Sequence, residues 1–341
     1  MVCVIFLWFL CLPLWGGCLE LWLHLLFNTV ICRRILYKHI GVAMNINKVI
    51  GHVACLVAYA IFGVNIIVCK DLTGSHLISP IALFTLRSVG AGLLFWIISF
   101  FMPSEKVAWS DHPRILLASV LGFLLTQLTF LMAIPSITPL DCSITSAMSP
   151  IYTMIIAAIV LREPITWQKA GGVALSFAGV IFLLFNSVSS GGAAHTTTMG
   201  LLLMILNCIC FSLYLGMFKP LISRYSVVTF MKWIFLYSTL MSLPISLREL
   251  TVLDYAALPT NIVAELVFLI ICSTFITYFL IPIGQKRIRP TLVSMYSYVQ
   301  PIIATAISIY LGMDTLGWQK VLAAIAVFSG VVIVSRSKAR E

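Results

Sequence analysis

Apolar residues run along this chain in long unbroken stretches, without the alternation of a half-buried strand or the one-sided stripe of a surface helix. After residue 43, charges, prolines and glycines bound ten such runs, at about 49–69, 77–101, 115–134, 141–161, 168–185, 199–218, 226–247, 264–285, 291–311 and 318–335. Each approaches the roughly 20 apolar residues that carry a helix across a bilayer core about 30 Å thick. Lipid offers backbone groups no partner, so runs of this length predict helices that satisfy their own hydrogen bonds. The connections are short, and the two longest, around 102–114 and 248–263, are too small to fold as domains. Ser189 to Thr198 (SSGGAAHTTT) reads as a flexible linker between the fifth and sixth runs, where two halves would be joined.

The placement of positive charge orients the bundle, because cytoplasmic loops carry the excess of Lys and Arg. With the segment before the first run in the cytoplasm, Lys48, Lys106, Arg114, Arg162, Lys169, Lys219, Arg224, Lys286, Arg287, Arg289, Arg336, Lys338 and Arg340 share that side. Only Lys70, Arg248 and Lys320 fall opposite. This predicts a multi-pass protein of the cytoplasmic (inner) membrane, with both ends of the core in the cytoplasm. Residues 1–43 stand apart from it. Val2 to Ile31 is mostly apolar, and its positive charges (Arg33, Arg34, Lys38) follow the run rather than precede it, unlike a secretory signal. Two readings stay open: an extra hydrophobic helix with its N-terminus outside, or a start at Met44.

Composition agrees with the pattern. Of 341 residues, 61% are hydrophobic and 9% charged, against about 45–50% and about 25% in a soluble domain. The net charge of +10 reads as topology rather than nucleic-acid binding, because the basic residues are spread over short loops. The cysteines are scattered, without metal-ligand spacing or a disulfide framework. The sequence lacks Gly-x-Ser-x-Gly, His-Glu-x-x-His and the phosphate-binding Gly-x-x-x-x-Gly-Lys-Ser/Thr, so neither enzymatic chemistry nor a cofactor is expected.

The chain also repeats itself. Under a constant shift of 151, Pro139 meets Pro290, Ser143 meets Ser294, Ser146 meets Ser297 and Pro150 meets Pro301. Trp167-Gln168-Lys169 meets Trp318-Gln319-Lys320, and Phe177 and Gly179 meet Phe328 and Gly330. Chance matches of Leu, Ile and Val are common in apolar helices; matches of Trp, Pro and a whole tripeptide are not. The unit, about 48–187 and again 199–337, holds five runs. An odd number makes the second copy cross the membrane in the opposite sense, a plan that recurs in secondary transporters.

These residues resemble the drug/metabolite transporter superfamily, specifically its EamA-type ten-helix family. The resemblance covers about 48–337 and is strongest around Pro150 and Pro301, with Leu161-Arg162-Glu163-Pro164, Trp167-Gln168 and Gly179 in one copy and Asp314, Trp318-Gln319 and Gly330 in the other. Arg87, within Phe84-Thr85-Leu86-Arg87, is similar to the family's second-helix arginine. The resemblance implies an all-α integral membrane fold, two inverted five-helix repeats around a central cavity, and export of metabolites. At Gly312-Met313-Asp314-Thr315 the second copy departs from the Glu-Pro of the first.

A charge deep in a bilayer faces a cavity or a partner. Arg87 lies about ten residues, roughly 15 Å, from the nearer end of its run, and it either offers forked hydrogen bonds to a substrate anion or ties its helix to neighbours. Lys232 is near enough to a surface to snorkel. Pro150 and Pro301 interrupt the fourth and ninth helices and free carbonyls. Beside them Ser143, Thr145, Ser146, Ser149, Ser294, Tyr296, Ser297, Tyr298 and Gln300 predict a polar cavity lining, against the alternative of helix-to-helix hydrogen bonding. Asn65, Gln127, Asn207, Tyr214 and Tyr278 extend the polar inventory of the first, third, sixth and eighth helices, where a single such residue more often has a structural role; of these Asn65 and Tyr214 join the expected substrate contacts. Gly172, Gly179, Ala323 and Gly330 give the fifth and tenth helices small faces for sealing the scaffold or for a homodimer contact. The expectation is a secondary transporter that exports small metabolites, amino acids or related compounds and drugs, by alternating access. Its partners would be a small-molecule substrate and the lipid bilayer, without nucleic acid. An uptake permease or channel on the same scaffold, a membrane enzyme and a structural subunit are the alternatives.

Overall fold

The computed structural model describes residues 46–161, 167–189, 196–253, 258–312 and 317–336. The chain divides into two compact units, Met1–Val49 and Ile50–Glu341, and the account below concerns the second. Residues 1–43, Arg162, Glu163, Pro164, Asp314, Lys338, Arg340 and most of the Ser189–Thr198 linker lie outside the described residues.

Every regular element among the described residues is helical. They comprise α1 (Ile46–Gly74), α2 (Pro80–Phe100), α3 (Trp109–Ser136), α4 (Pro139–Ser146), α5 (Ser149–Leu161), α6 (Trp167–Ser189) and α7 (Thr198–Met217). They continue with α8 (Lys219–Arg224), α9 (Val227–Val252), α10 (Thr260–Arg287), α11 (Pro290–Met295), α12 (Val299–Tyr310) and α13 (Trp318–Arg336). Seven described spans are long and apolar enough to cross a membrane, namely α1, α2, α3, α7, α9, α10 and Leu292–Tyr310, which runs through α11 and α12; α6 and α13 contribute the shorter apolar stretches Ala170–Gly179 and Val321–Gly330. The fourth crossing is split between α4 and α5, so neither half reaches that length alone. The short α8 has no counterpart among the apolar runs.

Starts are set by hydroxyl caps. Ser79, Thr138, Thr197 and Ser226 accept from the backbone N–H of Ala82, Asp141, Gly200 and Thr229, opening α2, α4, α7 and α9. Such a cap contributes about 1 kcal/mol, and in α2 and α4 a first-turn proline adds a preset φ. The prolines of the repeat break helices as the sequence predicts. Pro150 lies in the first turn of α5, and Pro301 lies in the first turn of α12, after the 3-10 turn Tyr296–Tyr298. Without an N–H at Pro150 the Ser146 carbonyl loses its helical donor; the Ser149 hydroxyl takes that place at 2.8 Å.

A second paired feature was not foreseen. Both α3 and α10 contain a π-helical turn, Val120–Leu125 and Leu269–Ile276. In each, a threonine hydroxyl reaches the carbonyl five residues back: Thr126 to Leu121 at 2.6 Å and Thr274 to Leu269 at 2.7 Å. Such bulges shift a helix's face and cluster at functional sites.

Helices α6 and α13 pack as an almost symmetric pair. A Cβ on Gly179 would lie 2.9 Å from Ala326 Cβ and 3.0 Å from the Ala323 carbonyl, while one on Gly330 would collide with Ser176 and the Gly172 carbonyl. The shift of 151 turns Gly172 and Ser176 into Ala323 and Val327, so the two glycines make the same contact from opposite sides. Ser176 Oγ also donates to the Val327 carbonyl at 3.0 Å. These small faces meet each other within one chain.

Two lysines, not themselves mates under the shift of 151, hold carbonyls at opposite ends of the bundle that include one repeat-related pair. Lys70, near the end of α1, donates to the Ile134, Pro135 and Ile137 carbonyls at 2.8, 3.1 and 2.9 Å. Lys219, just after α7, donates to the Ile288 carbonyl at 2.7 Å, and Ile288 is the repeat mate of Ile137. An ammonium on helix-terminal carbonyls satisfies orphan acceptors and complements the helix dipole. Lys70→Met should raise backbone amide exchange several-fold across 134–140 and leave 286–293 unchanged, with Lys219→Met doing the reverse. Uniform protection in both variants would remove the clamp role. At the Lys219 end, partial burial pushes the Glu105 carboxyl up, but Ser226 N–H at 2.9 and 3.2 Å, with the Ser226 and Thr229 hydroxyls, holds it below its ordinary range.

Candidate functional site

One cavity of about 60 Å³ opens between the broken helices and their neighbours. Helix α1 supplies Tyr59, Phe62, Asn65 and Ile66; α3 supplies Thr126, Gln127 and Phe130; α7 supplies Asn207 and Phe211. Ser146 closes α4, Ser149 opens α5, Tyr278 comes from α10, and Ser297 and Gln300 come from the turn into α12. The breaks at Pro150 and Pro301 thus put two polar pairs, one from each repeat, on a common wall. A site for a drug-sized ligand holds about 300–1,000 Å³. At about 60 Å³ this cavity is contracted, too small for such a ligand as the helices stand.

Among the described residues the lining carries no carboxyl, imidazole, ammonium or guanidinium group. Its character comes from aromatic rings and neutral hydrogen-bonding groups. Phe123 packs edge-on to Tyr278 behind the wall, with centroids 5.1 Å apart, and Tyr59 meets Phe62 edge-on at 5.8 Å. Three buried polar atoms of lining residues have no protein partner: Tyr59 Oη, Gln127 Oε1 and Ser297 Oγ. A buried polar atom left unpaired costs about 1–3 kcal/mol, and all three of these belong to the cavity wall.

Of the residues singled out in the sequence, Asn65, Ser146, Ser149, Ser297 and Gln300 line the cavity, as do Gln127, Asn207 and Tyr278. Arg87, Ser143, Thr145, Pro150, Tyr214, Ser294, Tyr296, Tyr298 and Pro301 are not in its lining; the Ser143 and Thr145 hydroxyls donate instead to the Leu140 and Asp141 carbonyls of their own helix. Pro150 and Pro301 shape it through the breaks. Tyr214 stacks behind the lining residue Phe211 at 6.0 Å and fills the space over Gly122, where a Cβ would strike its ring. Tyr296 Oη pairs with His52 Nδ1 at 2.8 Å.

Arg87 is 1% exposed and bound by neighbours rather than open to the cavity. Its Nε donates to Thr274 Oγ1 at 2.9 Å, Nη2 to Ser273 Oγ at 3.2 Å and Nη1 to Cys69 Sγ at 3.8 Å. The arginine ties α2 to the π-helical turn of α10, so the tying alternative is the geometry observed. Its reach into the cavity is indirect, through Ser273, which donates to Asn65 Oδ1 at 2.5 Å. Lys232 donates to Ser99 at 2.8 Å and lies over the Trp96 ring at 5.1 Å, clear of the cavity. Trp167 and Trp318 are exposed at helix starts, as interfacial anchors are.

Sequence reasoning passed over the aromatic wall of Tyr59, Phe62, Phe130 and Phe211. A signal was present: each lies three to six residues from a polar lining residue on its own helix, Phe62 and Tyr59 before Asn65, Phe130 after Gln127 and Phe211 after Asn207. Helical spacing of three or four puts such pairs on one face.

The chain is similar to known proteins along most of its length. The model of the EamA-like transporter family matches twice, at residues 49–185 and 198–336. An uncharacterized transporter of Archaeoglobus fulgidus is 24% identical over 264 residues, covering 76% of this chain and 90% of that protein. A Rickettsia prowazekii protein named as an S-adenosylmethionine uptake transporter is 24% identical over 200 residues, covering 58% of this chain and 62% of its own. A solved crystal structure superposes with a TM-score of 0.60 at 16% identity, over 86% of this chain and 97% of that one, a likeness of fold alone. Two matched repeats, a helical membrane bundle and a cavity at the paired helix breaks converge: the chain belongs to the EamA-like transporter family.

Proposed function

We propose that this protein is a secondary transporter that carries amino acids or related small metabolites across the cytoplasmic membrane by alternating access, in the outward direction. Both ends of its core lie in the cytoplasm, as the distribution of Lys and Arg argues. It has no enzymatic role, and its partners are the substrate and the bilayer. The observation that carries the reading is the contracted cavity walled by Ser146 and Ser149 from one repeat and Ser297 and Gln300 from the other. A site shared by inverted halves opens to either face when the halves exchange shapes. Breaks beside Pro150 and Pro301 give the wall places to bend.

The test uses the full chain in proteoliposomes loaded with the standard amino acids and S-adenosylmethionine, followed by mass spectrometry of the external solution. Release above empty liposomes, accelerated by the same compound outside, is the expected outcome. Release without such acceleration would mean a channel, and no release from folded protein would end the transport reading. The Rickettsia relative, named as an uptake transporter, favours inward movement as a second reading. Cells expressing the protein distinguish the two, since an exporter enriches its substrate in the medium and an uptake carrier depletes it.

A further inference from the structure

The hydrogen-bond polarity of the cavity wall is fixed from behind it. A guanidinium can only donate. The Ser273 hydroxyl that accepts from Arg87 Nη2 must therefore turn its own proton away, and it donates to Asn65 Oδ1. Cys69 Sγ donates to the same oxygen at 3.5 Å. With its oxygen engaged, Asn65 is left with its Nδ2 amide, a donor, for a guest in the cavity that it lines.

Gln127 is held the other way round. A backbone carbonyl can only accept, so the Tyr278 hydroxyl donates to Gly122 O at 3.2 Å and accepts from Gln127 Nε2 at 3.0 Å. Gln127 Oε1 stays buried without a partner, and the whole side chain is 6% exposed. Asn207 repeats the logic: its Nδ2 donates to the Thr126 carbonyl at 2.5 Å, which leaves Oδ1 as its acceptor. Gly122 belongs to the π-helical turn of α3 and Thr126 follows it directly, so the same irregularity orients both amides.

We infer that Asn65 is the donor and Gln127 and Asn207 the acceptors that select the substrate, so that the cavity favours a compound bearing both a carboxylate and an ammonium group over one bearing either alone. Arg87 is a positioning residue that sets Asn65 through Ser273. The inference rests on the transport reading above and adds which groups of the substrate are read, and by which residues. Rejection of a one-group analogue follows from the wall itself, because a polar group oriented for a missing partner stays buried and unsatisfied.

The experiment compares flux into proteoliposomes of three probes that share one side chain: S-adenosyl-L-methionine, its decarboxylated form and its N-acetylated form. The same set is run with L-methionine, its decarboxylated amine and N-acetylmethionine. With the native chain, each parent should move at least about tenfold faster than either analogue. Asn65→Asp, which replaces the donor by an anion, should slow the parent and bring the decarboxylated probe level with it or ahead. Gln127→Leu should slow the parent and the amine but not the N-acetyl probe. The amine's flux through Asn65→Asp also shows that this variant is folded. Equal rates for all three probes, or an unchanged order in Asn65→Asp, overturns the inference. If no probe of either set moves while other compounds are released in the loaded-liposome assay, this inference falls and transport stands. Absence of any flux in both assays removes the transport reading itself.

Discussion

Arg87→Ala should lower the stability of the purified protein in detergent by about 3–5 kcal/mol, the range for removing a large, fully buried and bonded side chain, and reduce transport to below a tenth. Three donors are lost at once, to Thr274, Ser273 and Cys69, and α2 loses its tie to α10. Thr274 still has the Leu269 carbonyl to bond, whereas Ser273 loses the donor that fixes its proton, and Asn65 becomes free to rotate. Arg87→Lys keeps the charge but lacks the planar fork, so it should recover part of the stability and less of the substrate preference. Thermal unfolding and flux measured on the same preparations separate the two effects. Native-like unfolding and flux in Arg87→Ala would show that the arginine holds neither the helices nor the cavity wall.

The second large effect is steric. Gly330→Leu places a side chain where Ser176 and the Gly172 carbonyl already sit, so α13 must move off α6. Overpacking a fitted contact costs typically about 1–3 kcal/mol. Because backbone on the facing helix obstructs the new side chain, the loss here should reach at least the upper end. Gly179→Leu should do the same from the other helix. Gly171→Ala is the control, since nothing lies within 4 Å of a Cβ there and alanine is favoured over glycine in a helix by about 1 kcal/mol. Expression level and thermal midpoint read all three. Tolerance of leucine at both glycines would mean that the last helices of the repeats do not depend on this contact.

The helical bundle, its duplication and the two helix breaks were legible because they rest on residue types that chance seldom repeats: Trp167 with Trp318, Pro150 with Pro301. The cavity was half legible. Ser146, Ser149, Ser297 and Gln300 stand beside those prolines, where a freed carbonyl and a polar neighbour announce a break. Arg87 was located correctly as a buried charge, but nothing in the chain says which way a guanidinium turns; Ser273 and Thr274, nearly two hundred residues away, decide it. The π-helical turns in α3 and α10 left no readable trace, because the insertion of a residue into a helix changes hydrogen bonding without changing composition. Gln127 and Tyr278, which follow those turns, were in view as polar residues of their helices, but not that they face the cavity.

The absence of any carboxyl, imidazole, ammonium or guanidinium group from the described residues of the cavity lining bears on the energetics of movement. A wall without fixed charge leaves the charge of the cargo, and of any ion that travels with it, to decide how the membrane field acts on movement. The electrical field across a membrane performs about 2.3 kcal/mol of work per elementary charge at 100 mV, about fiftyfold in concentration. An amino acid with balanced charges that travels alone crosses untouched by that field and follows its own gradient outward from a cell that overproduces it. A sulfonium-bearing amino acid carries one net positive charge and is drawn toward a negative interior. The same neutral wall would thus release one cargo and gather the other, with the direction of net flow set by cargo charge and membrane voltage.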